Sequence, residues 1–154
     1  MTDSKTLSAA RERFSAFLRD RRMRQTAERF AILEHALNRS GHFTADAIFN
    51  EMDRSGYHVS LSTVYTTFQL LTEAGLLRKH LFAGNAAEYE RVAGSTSHTH
   101  LVCSQCGRVR EIKDQQLADA IEHRRYPGLA TAFFTLSVYG ICTKCQRQNH
   151  KKKV

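Results

Sequence analysis

Residues 60–83 read SLSTVYTTFQLLTEAGLLRKHLFA, and the spacing of their apolar side chains changes at Gly75. Before Gly75 the apolar residues recur every three or four positions, which predicts an α-helix with Val64 and Phe68 on its buried face. After Gly75 the period falls to two, the spacing of a half-buried β-strand. Glycine is also a common residue just past the end of a helix. The stretch therefore predicts a helix that leads directly into a strand.

The residues before this stretch predict three more helices. Phe14 and Leu18 share one face of the first helix. Thr26 and Thr44 can cap the second and third, which read AERFAILEHAL and ADAIFNEMDR. After the fourth helix, LLRKHLFA and AAEYERV predict two strands, with Gly84-Asn85 as the turn between them. Helices followed by a β-hairpin in this order predict a winged helix-turn-helix domain.

The second half of the chain predicts a small α/β unit, so the fold class is α+β. The strand candidates HTHLV and GRVREI flank CSQCG, DQQLADAIEHRR is a helix candidate, and ATAFFTLSVYGI is a final strand that runs into CTKC. Small polar residues between the two halves predict a hinge. The predicted division is a winged-helix domain at 1–92, a hinge at 93–97, a metal-binding domain at 98–149 and a disordered basic tail at 150–154.

The composition favours a nucleic-acid partner inside the cell. The net charge of +8 suits an anionic partner, and five arginines cluster between residues 19 and 29. No apolar run approaches the roughly 18–20 residues that cross a membrane. The N-terminus also lacks the apolar core of a signal peptide, so we expect no membrane association and a cytoplasmic location. Because no nucleophile–base pair or nucleotide-binding loop is present, we expect a binding protein rather than an enzyme.

Four cysteines form two Cys-x-x-Cys pairs, Cys103 with Cys106 and Cys142 with Cys145. In a reducing cytoplasm such thiols are metal ligands or redox groups rather than structural disulfides. Each pair lets two thiolates converge on one ion at about 2.3 Å, and two pairs complete a closed zinc site. The alternative is a thioredoxin-like dithiol, but that motif begins a helix in a βαβ context, which is missing here. We therefore predict structural Zn²⁺ on these four cysteines.

Two histidines precede the first cysteine pair and need a separate explanation. On a strand, His98 and His100 project from one face, whereas Cys103 lies at an odd spacing from both and leaves from the other. Two separate sites therefore fit better than one. Three further side chains are candidate partners of the histidines: His42, Glu90 and Glu111. Nitrogen and carboxylate ligands without thiolate suit iron(II), zinc, manganese or cobalt. The alternative is that each histidine is an ordinary surface or core residue.

Four motifs, in this order and spacing, resemble those of the ferric uptake regulator (Fur) superfamily: MRQTAERFAIL (23–33), SLSTVYTTFQLLTEAGLL (60–77), HTHLVCSQCG (98–107) and YGICTKC (139–145). The resemblance covers nearly the whole chain. It implies a metal-dependent transcriptional repressor that binds palindromic operator DNA as a homodimer. It also implies that 98–149 is a dimerisation domain, that the cysteines hold structural zinc, and that a regulatory metal lies at the hinge.

The resemblance assigns five ligands to this regulatory metal: His42, Glu90, His98, His100 and Glu111. It implies iron(II) as the corepressor, because zinc-responsive relatives often use a cysteine here and peroxide-sensing relatives typically have aspartates in place of Glu90 and Glu111. We expect Zn²⁺ or Mn²⁺ to occupy the same site in vitro, since their ligand preferences overlap. Three alternatives stay open within the superfamily: a zinc-responsive, a peroxide- or redox-responsive, and a haem-responsive regulator.

Five side chains are candidates for DNA contact: Arg24, Arg29, Ser62, Thr63 and Tyr65. The two arginines would bind phosphate, although a solvated charged face is the ordinary role of such residues. Ser62, Thr63 and Tyr65 lie on the helix that resembles the family's recognition helix. Tyr65 has a second interpretation, as a core aromatic. Thr66 stands where the family usually has arginine, which removes one phosphate or base contact.

Overall fold

The chain forms two compact units in the computed structural model, which describes residues 3–82, 86–93, 99–129 and 134–151. The first unit comprises the described residues up to Leu81 and from Ala86 to Ala93, and the second comprises Phe82 and the described residues from Thr99 onward. In these described parts, no helix is long and apolar enough to cross a membrane. The predicted turn at Gly84-Asn85 and most of the predicted hinge lie outside them.

The first unit has four helices followed by two antiparallel strands. They are α1 (Ser4–Asp20), α2 (Ala27–Asn38), α3 (Ala45–Arg54), α4 (Leu61–Glu73), β1 (Leu77–His80) and β2 (Glu88–Arg91). The two strands pair with Leu77 opposite Arg91 and His80 opposite Glu88. This order of elements confirms the predicted winged helix-turn-helix.

Helix ends in the first unit follow local side-chain chemistry. The hydroxyls of Thr26 and Thr44 accept backbone N–H bonds at the starts of α2 and α3, and Ser60 does so for α4, from the N–H of Thr63 at 3.1 Å. These bonds satisfy N–H groups that have no partner within the helix. Gly75 follows α4 with φ +68°, a left-handed conformation in which a side chain would be strained. The turn from α4 into β1 therefore depends on that glycine.

The core of the first unit packs the apolar faces of the helices against the hairpin. Its largest fully buried apolar side chains are Phe14, Leu18, Ile32, Leu33, Leu37, Ile48, Met52, Phe68, Leu71 and Leu77. The ring of Tyr89 on β2 meets the ring of Phe68 edge-on, with 4.7 Å between centroids. Phe43, in the loop before α3, forms an antiparallel bridge with Tyr89. This bridge brings the α2–α3 loop alongside strand β2.

The second unit is a three-stranded sheet with two helices. Its elements are β3 (Thr99–Cys103), β4 (Val109–Ile112), α5 (Gln115–Glu122), β5 (Leu136–Gly140) and α6 (Thr143–Lys151). Strand β3 is central in the order β4-β3-β5, antiparallel to β4 and parallel to β5. Because β3 and β5 are parallel, their carboxyl ends lie at the same edge of the sheet.

Two features of the second unit differ from the sequence prediction. Of the described residues in the predicted strand 130–141, only Leu136–Gly140 form β5, and residues 130–133 lie outside the described residues. Helix α6, which the sequence did not predict, begins inside CTKC at Thr143. Residues 150 and 151 of the predicted disordered tail belong to this helix. The sequence of α6, TKCQRQNHK, is polar and has no apolar stripe, so its periodicity gave no helical signal. The exact boundaries at 93–97 stay a prediction, because 94–97 lie outside the described residues.

Candidate metal centres and nucleic-acid interface

The four thiols of the second unit come together at one edge of its sheet. Cys103 ends β3, and its strand partner on β5 is Gly140, which is followed two residues later by Cys142. Cys106 lies in the turn after β3, and Cys145 lies in the first turn of α6. The four Sγ atoms lie within 4.8 Å of one another. The parallel pairing of β3 with β5 thus joins two Cys-x-x-Cys pairs that are far apart in sequence.

Backbone hydrogen bonds shape the loop that carries the first pair. The N–H of Gly107 donates to the carbonyl oxygen of Cys103 at 2.9 Å, and Gly107 has φ +70°. The N–H of Ser104 donates to the carbonyl oxygen of Gly140 at 2.8 Å. The backbone N–H of Cys142 donates to Cys103 Sγ at 3.3 Å. These bonds hold the loop so that both thiols face the second pair.

The spacing and chemistry of the thiols fit a zinc ion. Tetrahedral zinc with Zn–S bonds of 2.3 Å separates its sulfur ligands by about 3.8 Å, and the Sγ atoms of Cys106 and Cys142 are 3.9 Å apart. The N–H of Cys142, with further backbone bonds, lowers the pKa of Cys103 to about 6. Burial raises the pKa of Cys145 to about 12, so holding every thiol as a thiolate at neutral pH requires a cation among them.

The second Cys-x-x-Cys begins helix α6, as a thioredoxin-like dithiol would, but among the described residues no strand follows α6 to complete a βαβ unit. Cys142 directly precedes α6, and Cys145 lies inside it. A dithiol site needs only one such pair, however, whereas here a second pair lies at the same place. The convergence of all four thiols favours metal binding over a two-cysteine redox site.

A second group of metal-type side chains lies in the first unit. It consists of His42, His80 and Glu90, whose ligand atoms lie within 4.8 Å of one another. His42 Nε2 is 3.8 Å from Glu90 Oε2, and His80 Nε2 is 3.3 Å from Glu90 Oε1. The two imidazole rings meet edge-on, with 5.2 Å between centroids. Two imidazoles and one carboxylate are a donor set that suits iron(II), zinc or manganese.

The hairpin and the neighbouring loop explain this grouping. Arg78 and Glu90 are directly opposite in the β1–β2 register, and His80 lies on the same face of β1 as Arg78 because side chains alternate. The bridge between Phe43 and Tyr89 places the preceding residue, His42, alongside Glu90. Arg78 Nη1 lies 3.3 Å from Glu90 Oε1. The sequence predicted His42 and Glu90 as ligands but missed His80, although strand alternation opposite Glu90 was the available signal.

The second unit carries the other predicted ligands of the regulatory metal. His100 is fully buried on β3 and pairs directly with Glu111 on β4. The ring of His100 lies 5.0 Å from that of Phe82. Antiparallel partners point to the same face of a sheet, so His100 and Glu111 share a face. His98 lies outside the described residues.

Hydroxyl groups cluster at the start of α4, the predicted recognition helix. Ser60 Oγ lies 2.9 Å from Ser62 Oγ and 2.7 Å from Thr63 Oγ1. Tyr65 is 44% exposed, and its hydroxyl donates to Asp46 Oδ2 on α3 at 2.6 Å, which raises the pKa of Tyr65. An exposed ring does not fit the alternative role of Tyr65 as a core aromatic.

The two candidate arginines lie at the entry to α2. Arg24 is exposed in the loop before the helix, and Arg29 is half-buried in its first turn. A guanidinium N–H of Arg29 donates to the backbone carbonyl oxygen of Arg24. The Arg29 side chain therefore fixes the local loop, while Arg24 keeps its charge in solvent.

Comparison with known proteins adds to this geometry. The model of the family described as "Ferric uptake regulator family" matches residues 20–139. The chain belongs to the ferric uptake regulator family. A ferric uptake regulation protein from Legionella pneumophila is 35% identical over 135 residues, which cover 84% of this chain and 96% of the relative. The family's members are regulators of transcription, so the chain is a regulator of that kind rather than an enzyme.

Other members of the ferric uptake regulator family resemble the chain in fold or in sequence. The structure of the ferric uptake regulator from Pseudomonas aeruginosa with manganese has a TM-score of 0.69 at 27% identity, and the match covers 84% of this chain and 97% of that one. The Helicobacter pylori regulator has the same fold, with a TM-score of 0.70 at 18% identity, covering 95% and 97%. A peroxide operon regulator from Bacillus subtilis is 28% identical over 136 residues, covering 86% of this chain and 92% of that protein. The α+β fold, with an N-terminal winged helix and a C-terminal α/β unit, is thus confirmed.

Proposed function

We propose that this chain is a metal-dependent transcriptional repressor that binds palindromic operator DNA as a homodimer, with iron(II) as corepressor controlling metal-uptake genes. The observation that carries the proposal is the contact of the partly buried His42 with the buried Glu90 on the hairpin of a winged helix. Imidazole nitrogens that converge on a buried carboxylate are a donor set that suits a divalent metal ion. A metal-type site built onto a DNA-binding fold couples ion availability to DNA affinity.

Structural zinc on the four cysteines is the second part of the proposal. The 3.9 Å between the sulfurs of Cys106 and Cys142 supports a tetrahedral ion there. A closed thiolate site of this kind contributes to folding and leaves no open position for an effector. Zinc would therefore stabilise the second unit permanently, and the metal signal would act elsewhere.

The regulatory metal would be held by five residues from both units: His42, Glu90, His98, His100 and Glu111. Support within the first unit comes from the contact between His42 and Glu90, and within the second from the direct pairing of His100 with Glu111. Ligands drawn from both units would fix one unit relative to the other. Ion binding would then favour the arrangement in which both DNA-binding units of a dimer fit the operator.

Contact with DNA would come from the exposed start of α4 and from the entry to α2. The candidates are the five side chains Arg24, Arg29, Ser62, Thr63 and Tyr65. Hydroxyls at a helix N-terminus suit phosphate oxygens and base edges, and the exposed charge of Arg24 suits phosphate. In a dimer, two such helices would enter major grooves about one turn of DNA apart, which requires a palindromic operator.

The homodimer is supported by an apolar surface on the second unit. Strand β5 is an edge of the sheet, and Val138 and Tyr139 on it are 48% and 53% exposed, with Ile141 just beyond at 47%. An exposed apolar edge strand is a ready surface for pairing with another chain. A second copy of this unit would cover it.

Iron(II) is the preferred signal for two reasons. The regulatory donors are nitrogen and carboxylate without thiolate, which suits iron(II), although Zn²⁺ and Mn²⁺ would also occupy the site in vitro. The Legionella pneumophila relative is named as a ferric uptake regulation protein. Glu90 and Glu111 favour the iron-responsive class over the peroxide-responsive class, since peroxide-sensing relatives typically have aspartates at these positions. We expect a cytoplasmic protein that meets operator DNA directly.

The test of this proposal is metal-dependent DNA binding. The zinc-loaded chain should bind a palindromic operator tightly with added Fe²⁺ under anaerobic conditions, and at least tenfold more weakly after a chelator removes the added ion. The reason is that the ion stabilises the DNA-binding arrangement of the dimer. Fluorescence anisotropy with labelled operator measures both affinities at one salt concentration. Equal affinity with and without the chelator would contradict the corepressor role.

Added haem or peroxide, applied to the same complex, separates the redox- and haem-responsive alternatives.

Thr66→Arg should strengthen the contact of α4 with DNA. Thr66 is exposed on this helix, and its hydroxyl donates to the carbonyl oxygen of Ser62 at 2.8 Å. Each added phosphate contact should steepen the dependence of log affinity on log salt by about 0.9. Operator titrations from low to moderate salt measure this slope. Ala120→Arg is the matched control, since it adds the same charge at an exposed position of α5 in the other unit. If both variants have the wild-type slope, position 66 does not face DNA.

A further inference from the structure

His80 is a buried histidine with no place in the proposed set of five metal ligands. It is the last residue of β1 and is 9% exposed. Its Nε2 lies 3.3 Å from Glu90 Oε1, while His42 Nε2 lies 3.8 Å from the other oxygen of the same carboxylate. The carboxylate of Glu90 therefore has an imidazole nitrogen beside each of its two oxygens.

We propose that His80 is itself a ligand of the regulatory metal, and that His42, His80 and Glu90 form a two-histidine, one-carboxylate site within the winged-helix unit. This inference rests on the proposed function, because it concerns the same ion. It changes the chemistry of the site, since two histidines and one carboxylate are a set typical of non-haem iron(II). It also makes the DNA-binding unit able to hold the ion with its own side chains.

The distances match ligands of one ion. Metal bonds of about 2.0–2.2 Å to nitrogen and oxygen separate neighbouring donors by about 3.0–3.5 Å. The separation between His80 and Glu90 lies in this range, and that between His42 and Glu90 is slightly larger. All three ligand atoms lie within 4.8 Å of one another. Only small movements of the side chains would bring the three donors to one ion.

Strand geometry makes this arrangement a property of the hairpin. Side chains two apart on β1 share a face, so His80 lies on the face where Arg78 meets Glu90. Arg78 Nη1 is 3.3 Å from Glu90 Oε1. Removal of His80 would therefore leave Glu90 with a cationic partner, and the variant His80→Ala should fold.

A histidine–glutamate–arginine group elsewhere in the same unit supplies a matched control. His35 Nδ1 lies 3.0 Å from Glu51 Oε1, and Arg39 Nε lies 3.1 Å from Glu51 Oε2. This group has one histidine instead of two and is more exposed. His35→Ala removes the same side chain from the same kind of contact without touching the proposed site.

The experiment measures Co²⁺ binding to the full-length, zinc-loaded chain. Two quantities are measured for wild type, His80→Ala and His35→Ala. Chelator competition gives the Co²⁺ affinity, and X-ray absorption gives the number of imidazole ligands on the bound Co²⁺. We expect His80→Ala to weaken binding by more than the roughly 10–100-fold that loss of an outer-shell partner costs. We also expect it to lose one imidazole from the Co²⁺ shell, with His35→Ala unchanged in both respects.

The outcomes separate this inference from the proposed function. An unchanged imidazole count in His80→Ala overturns the inference whatever the affinity, because His80 would then act from outside the metal shell. A wild-type chain that binds no second ion contradicts the proposed function, and this inference with it. If His80→Ala does not fold, the wild-type chain decides the matter by ¹⁵N NMR of its histidines during Zn²⁺ titration. A coordination shift at His80 is expected, and its absence overturns the inference.

Discussion

Cys103→Ser is expected to remove zinc and to abolish both the folded second unit and the dimer. Serine cannot replace the thiolate as a soft ligand, and three cysteines leave the tetrahedral site incomplete. Cys103 also links the site to the sheet, because it ends the central strand β3 and accepts the N–H of Cys142. Structural zinc sites in general contribute apparent binding free energies on the order of 10 kcal/mol, as much as the whole stability of many domains.

Three measurements check this expectation: metal analysis for zinc, circular dichroism for folded structure, and analytical ultracentrifugation for the dimer. Ser104→Ala is the matched control, since Ser104 is exposed in the same loop and offers no thiol. The control should keep one zinc per chain. A folded, zinc-free dimer of Cys103→Ser would contradict the structural role of the metal. Strong chelation of the wild-type protein should reproduce the effect of the variant.

Local chemistry made the first unit predictable from the sequence. Its helices have apolar stripes with a helical period, and hydroxyl caps at Thr26 and Thr44 mark where two of them begin. Gly75 marks the end of α4, where the backbone becomes left-handed. Each signal lies within a few residues of the feature it predicts. The helix–strand order followed from these signals without any long-range contact.

Features that depend on distant contacts were harder to predict. Helix α6 is polar, and no apolar periodicity in its own sequence marks it. The grouping of His80 with Glu90 depends on the register of the hairpin, which periodicity does not fix. The cysteines were the exception. Their paired spacing identified the four-thiol group before the parallel pairing of β3 and β5 was known.

The double replacement of His98 and His100 by alanine is expected to abolish metal-activated DNA binding while leaving zinc and the dimer intact. His100 is fully buried on β3, where its neighbour across the sheet is Glu111. Cys103 lies three residues further along the same strand, so its side chain leaves from the opposite face. Removing imidazoles from one face should therefore not disturb thiolates on the other. Operator binding with added Fe²⁺, zinc content and sedimentation are measured on the same preparation.

The matched control replaces His58 and His123, one exposed histidine from each unit, with alanine. This control should bind operator and respond to metal as wild type does. Glu111→Ala should weaken the metal response as well, because an iron-type site that lacks one carboxylate loses both a charge and a coordination position. Zinc stoichiometry of the His98 and His100 variant decides between one site and two. Loss of zinc together with the metal response would mean that histidines and cysteines share a single site, and retention of zinc with a lost response would support two.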